Sequence, residues 1–274
     1  MPDPAQRLPW RLDDIDLDAV DVERTRNDEP LLLLLAASSF VEAASAVYSR
    51  NLLAHFAGDG VISGWLAGHW EQEELQHGRA LRAYIAKAWP GFHWERAYRA
   101  FFPDYTGACT REELEPSCGL ELVARCVVET GTATLYRSIH NYARDPVLKT
   151  IAANISSDEV HHYRQFFHYF TRYQITERHS RYQILRALLR RAAELRESDM
   201  NCGVRHAFAE LYGGSGRASP PFHEMKARVA ALVRRHFPFE MAAKMAIKPL
   251  AVPASMSAMA RYPVIAGIRW LMLR

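Results

Sequence analysis

From Leu31 to Ala57 the chain is an almost unbroken apolar run, and Glu42 is its only acidic residue. No stretch alternates apolar and polar residues with period two, so the elements are read as helices. A first helix is expected over about 31–56 and a second over about 61–88, with Ala57-Gly58-Asp59-Gly60 as the turn and Trp89-Pro90-Gly91 as the stop. Residues 92–117 read as a long connection, with Thr110-x-x-Glu113 as a capping box. A third helix is expected over about 118–143 and a fourth over about 146–174. Asp145-Pro146 supplies the cap and first-turn proline between them. Further helices are expected over 177–199, 203–212 and 221–236, and beyond them Pro238, Pro249, Pro253 and Pro263 are expected to break the chain. A short-turn hairpin, a long crossover and a second short-turn hairpin make an all-α, ferritin-like four-helix bundle with additional C-terminal helices. The expected organisation is an acidic arm (1–30), the bundle (31–175) and a helical extension (176–274).

The chemistry lies in the order Glu42, Glu74-x-x-His77, Glu129, Glu159-x-x-His162. One Glu from each of two helices and a Glu-x-x-His from each of the other two is the ligand set of a carboxylate-bridged di-iron or di-manganese bundle. Residues three apart share a helix face, so each Glu and His pair can reach one ion. Two such matches alone prove little, because this composition produces about 0.8 by chance. Depth along the hairpins adds the specificity. The midpoint of 42 and 74 is Gly58 and that of 129 and 159 is Arg144, both at the expected turns, so each pair sits about 22–24 Å from its turn. Four carboxylates also balance two divalent cations. The competing reading is a buried Glu paired with an arginine such as Arg50 or Arg125.

Composition bears on the rest only lightly. The four cysteines (Cys109, Cys118, Cys126, Cys202) form no C-x-x-C pair and read as thiols of a reducing, cytoplasmic compartment. No signal peptide or nucleic-acid motif is evident. Residues 1–30 hold nine acidic and four basic side chains, and 174–274 hold seven acidic and seventeen basic. Arg186, Arg190, Arg191, Lys226, Arg228, Arg234 and Arg235 are the candidates for a basic face, and Met241–Arg274 has the composition of a segment in peripheral membrane contact. Glu129-Thr130-Gly131-Thr132-Ala133-Thr134 is a weak helix former, and its loosening would open one face of a metal pair. Thr132 can instead bond the preceding turn's carbonyl.

Trp70-x-x-Glu73-Glu74-x-x-His77-Gly78, Asp158-Glu159-x-x-His162 and Glu129-x-x-Thr132 resemble the soluble acyl-(acyl carrier protein) desaturases over roughly residues 31–172. The resemblance implies two iron ions, with manganese the alternative, held by Glu42, Glu74, His77, Glu129, Glu159 and His162. It implies Thr132 beside the oxygen-binding face and Asp158 as the partner of the His77 imidazole; by pseudo-symmetry Glu73 would serve His162. It further implies O2-dependent desaturation or hydroxylation of a fatty acyl chain on acyl carrier protein, a ferredoxin-like electron donor and a homodimer. Three other chemistries remain open at this point: iron storage or peroxide detoxification, N-oxygenation or hydroxylation of a small molecule, and aldehyde deformylation, whose ligand spacing is similar.

Overall fold

The computed structural model describes residues 8–110, 113–197, 199–213 and 218–273, and every regular element among them is helical. In chain order these are α1 (Val22–Thr25), α2 (Glu29–Ala43), α3 (Ser45–His55), α4 (Gly60–Trp65), a π-helical turn (Leu66–Trp70) and α5 (Glu71–Ala88). There follow α6 (Trp94–Ala108), α7 (Cys118–Tyr142), α8 (Pro146–Glu177), α9 (Arg181–Glu197), α10 (Asp199–Tyr212), α11 (Phe222–His236), α12 (Phe239–Ile247) and α13 (Ala254–Leu273). The fold is all-α and ferritin-like. The chain divides into two compact units: residues 1–113, 142–154 and 198–232 form the first, and 114–141, 155–197 and 233–274 the second. The C-terminal hundred residues therefore contribute to both units.

In the first unit α2 is buried nearly all round, from Leu31 to Phe40, as its composition requires. Asp28 caps it through the Leu31 amide (3.1 Å), with Pro30 in the first turn. The expected single helix over 31–56 is instead two, α2 and α3, joined at Ala44. The turn falls at residues 56–59 as expected, and the Asp59 carboxylate accepts from the Val61 and Ile62 amides. The second expected helix is interrupted by the π-helical turn just before the first Glu-x-x-His.

Glycine decides two close approaches in this unit. A Cβ on Gly78 would lie 2.7 Å from the Ala43 backbone nitrogen, so only glycine lets α5 come up against the end of α2. A Cβ on Gly203 would sit 2.9 Å from the Ala37 Cα, which fixes α10 against α2 in the same way.

The expected connection over 92–117 contains a full helix, α6. Its buried Trp94, Ala97, Phe101 and Tyr105 recur at helical spacing, and the Trp94 indole donates to Ser39 Oγ (2.7 Å). Aromatic residues and Pro103 weigh against helix in propensity, and tertiary burial overrides them. The Thr110-x-x-Glu113 box runs through residues 111–112, outside the described residues.

In the second unit α7 and the body of α8 carry the functional side chains, and Ser156 Oγ ties them by donating to the Ala133 carbonyl (2.9 Å). The C-terminal segment docks where the Tyr163 hydroxyl donates to the Met245 carbonyl (2.7 Å) and the Lys248 ammonium lies 4.5 Å from the Phe167 ring centroid. Pro263 does not break the chain. It lies inside α13 on a solvent-exposed face. No single helix among the described residues is long and apolar enough to cross a membrane, although α2 and α3 taken together as a bent pair reach that length and hydropathy.

Asp145 is fully buried in the first unit and starts α8 by accepting from the Leu148 amide (2.8 Å), while its other oxygen accepts from the Asp21 amide (2.8 Å). Asp145→Ala removes both acceptors and is expected to destabilise the protein by about 1–3 kcal/mol, measured as a lower midpoint in urea at unchanged slope.

Candidate metal centre

The first unit brings together Glu42, Glu74 and His77, and each offers a ligand atom within 4.8 Å of the others. Glu42 stands in the last turn of α2, two residues before the Ala44 break, and Glu74 and His77 share a face of α5. All three are buried, His77 completely. The Glu42 Oε2 lies 3.9 Å from His77 Nδ1. The Gly78 close approach keeps these two helices near enough for that contact.

The second unit brings together Glu129, Glu159 and His162 in the same way, again within 4.8 Å. His162 Nδ1 lies 3.7 Å from Glu129 Oε2 and 3.5 Å from Glu159 Oε2. In both triads Nδ1 is the nitrogen turned toward the carboxylates. Two ligands held about 2.1 Å from one ion at right angles lie about 3 Å apart. Each imidazole–carboxylate pair therefore needs to close by less than 1 Å to share an ion.

Electrostatics separate these carboxylates from ordinary buried ones. Glu129 Oε1 is sealed from solvent and meets no hydrogen-bond donor among the described residues. Burial pushes its carboxyl up to about 8; the nearby His162 works against that rise and Glu159 adds to it. No Arg or Lys neutralises Glu129 among the described residues. The arginine reading fails for the two partners considered, since Arg50 is exposed and Arg125 is committed to Glu121 (3.3 Å). Oxygen and imidazole donors around an uncompensated buried charge suit a divalent iron or manganese ion. The residues present fit the metal group that the ligand order implies.

Thr132 is brought to the second triad. Its hydroxyl is 2.8 Å from Glu159 Oε2 and 3.3 Å from the Val128 and Glu129 carbonyls, so its one proton goes to the carboxylate at the shortest distance. Asp158 is buried beside Glu159. The expected loosening around Thr130–Thr134 does not occur. The hydroxyls of Thr130, Thr134 and Ser138 bond back to carbonyls one turn earlier and α7 runs through. The irregular backbone lies in the first unit instead, at Leu66–Trp70.

Two features of the site carried no sequence signal. The Trp10 ring lies parallel to the His77 imidazole at 6.3 Å, and the Gln76 amide holds the Trp10 carbonyl (2.9 Å), so the acidic arm folds over the first triad. Near the start of α7, Glu121 and Arg125 are buried with Arg191, which lies 3.6 Å from Glu121. Arg190 pairs with Glu115 (2.9 Å) and Glu194 (3.4 Å). These two arginines, expected on a basic face, are thus neutralised by carboxylates of their own unit, and Arg191 is withdrawn from solvent.

No family model matches the chain, and no curated protein matches it. Among solved structures it is similar to three R2-like ligand-binding oxidase variants. Two carry an aerobically reconstituted Mn/Fe cofactor: each is 13% identical with a TM-score of 0.49, covering 96% of this chain and 89% or 88% of that one. The third carries an anaerobically reconstituted Mn/Fe cofactor and is 15% identical with a TM-score of 0.47, covering 96% and 87%. Those cofactors describe the solved proteins; for this chain the chemistry rests on its own side chains.

A carboxyl pushed up from 4.5 to about 8 holds its proton in the folded state where the unfolded chain has lost it. Its ionisation therefore removes stability from the metal-free protein as pH rises from about 4.5 to about 8. Glu129→Gln is expected to flatten that decline in melting temperature and to make the metal-free protein more stable than wild type at pH 8. It is also expected to lower metal uptake, measured by metal analysis after reconstitution.

Proposed function

We propose that the two triads together hold one pair of iron ions, with manganese as the alternative, and that the protein is an O2-dependent oxidoreductase acting on a fatty acyl chain. The observation that carries this reading is the duplicated buried Glu/Glu/His triad, in which Glu129 meets no Arg or Lys among the described residues. Four carboxylates and two imidazoles match two divalent ions in charge and in donor type. When bound, such a pair supplies oxygen activation strong enough to attack an unactivated C–H bond.

The side chains have distinct parts in this proposal. Glu42, Glu74, Glu129 and Glu159 would supply the negative charge, and His77 and His162 would complete the ligand set. The Thr132 hydroxyl fixes the Glu159 carboxylate, which supports its assignment beside the reacting face. Asp158, by the desaturase resemblance, would orient a ligating imidazole and hold it in the ligating tautomer. Trp10 covers the His77 side and keeps water from it.

An acyl substrate is supported by the desaturase resemblance of the residues that flank the ligands. Delivery on acyl carrier protein would now rest on Arg186, Lys226, Arg228 and Arg235, which are exposed, rather than on Arg190 and Arg191. Electrons would come from a ferredoxin-like donor. The free cysteines suit a reducing, cytoplasmic setting.

Two metal ions per chain are expected on anaerobic Fe(II) loading. Glu129→Ala and Glu159→Ala should each lower occupancy, while Glu95→Ala, which removes only an exposed pair with Arg82, should not. Full occupancy in Glu159→Ala would overturn the ligand assignment. Exposure of the loaded protein to O2 followed by spectroscopy separates oxidase from iron storage, because a store accumulates ferric mineral beyond two ions. Lipid analysis after expression then tests the acyl substrate.

Asp158→Asn is expected to keep iron and lose about tenfold or more in turnover, in line with the loss of an imidazole's orienting partner. Unchanged turnover with unchanged iron would remove Asp158 from the mechanism.

A further inference from the structure

The last helix of the second unit presents a surface that the metal chemistry does not use. Met256, Met259, Pro263, Ala266 and Trp270 recur every three or four residues along α13 and are all exposed, so they form one solvent-facing stripe. Tyr262 and Leu271 widen it; Met259 is 74% exposed, Tyr262 76% and Trp270 50%. Contiguous exposed apolar surface of this kind marks an interaction site. The opposite face is held on α12, where Arg261 reaches Glu240 (3.5 Å) and the Arg269 guanidinium lies 4.9 Å from the Phe239 ring centroid.

Charge decides what covers the stripe. Residues 254–273 contain no Asp or Glu, and residues 233–274 contain seven Lys and Arg against Glu240 alone. Arg234 donates to the Met272 carbonyl (3.3 Å), which puts a guanidinium at the Trp270 end of the stripe. Arg235 beside it is exposed. A second copy of this chain would bring like charge against like charge, whereas an anionic lipid surface is complementary in charge and in polarity. The helix is 20 residues long with Pro263 near its middle and falls short of the apolar character needed to span. A helix with exposed Met, Trp and Tyr on one side and cations near one end suits the headgroup boundary, where aromatic rings settle and anionic lipids attract Arg.

We propose that α13 is a membrane-surface anchor that seats its Met256–Trp270 stripe in the interface of an anionic bilayer, with Arg234 and Arg235 at the headgroups. This inference is independent of the metal reading and can be tested with or without iron.

The test is flotation of the full-length protein with vesicles of phosphatidylglycerol and phosphatidylcholine, against vesicles of phosphatidylcholine alone. The protein is expected to float with the anionic vesicles at low salt and to partition about tenfold or more weakly into the neutral ones or at high salt. Met259→Glu with Trp270→Glu should weaken partition about tenfold or more, with helical content by circular dichroism unchanged because both side chains face solvent. Arg235→Glu, which leaves the apolar stripe whole, should weaken binding to anionic vesicles and not to neutral ones. No partition into anionic vesicles at low salt would overturn the proposal. So would a concentration-dependent dimer in sedimentation that the double variant dissolves, because the stripe would then belong to a second copy.

Discussion

Burying carboxylates inside apolar helices is the constraint on which the rest of this structure depends. Each uncompensated charge costs several kcal/mol even after relaxation, so a buried glutamate takes up a proton, finds a cation or is not tolerated. Glu42 follows eleven helical residues that are all Leu, Ala, Ser, Phe or Val, and Glu129 is set among Cys126, Ala133 and Tyr136. The carboxyl of Glu129 is pushed up to about 8 by that burial, which is the proton solution. A bound divalent ion is the other, and it would turn the same burial from a liability into affinity.

Helix α7 holds both outcomes within eight residues. Glu121 is as buried as Glu129, but Arg125 and Arg191 reach it and the Glu115 amide donates to it at 2.8 Å. There the Glu121 charge is balanced by protein cations, and the cluster links the start of α7 to α9. Glu129, two turns on, has imidazole and carboxylate neighbours and, among the described residues, no arginine. The contrast separates a structural ion-pair network from a ligand set, although both read in sequence as buried glutamates.

The two triads are alike in composition and unlike in backbone. The first is flanked by the break at Ala44 and the π-helical turn at Leu66–Trp70, with Gly78 allowing the helix contact and Trp10 folded over His77. The second stands on uninterrupted helices and is furnished with a hydroxyl from Thr132. Irregular backbone beside a polar cluster is common at functional sites, since it re-aims side chains that a regular helix would fix.

Much of this was legible in the residues themselves. The 3.6-residue periodicity, the Asp59 and Asp145 caps and the Glu-x-x-His spacing are local properties, each enforced within one turn of helix. They sufficed for the all-α class, the two turns and the grouping of Glu with His in each pair. Thr132 was legible as a residue of the right helix face, but whether its proton serves a carbonyl or Glu159 depended on a neighbouring helix. Helix α6 was missed because its amphipathic stripe has meaning only against the core it covers. The Trp10 arm, the burial of Arg191 and the placement of residues 198–232 with the first unit left no local trace either. They are long-range contacts, set by which surfaces remain to be covered once the helices have packed.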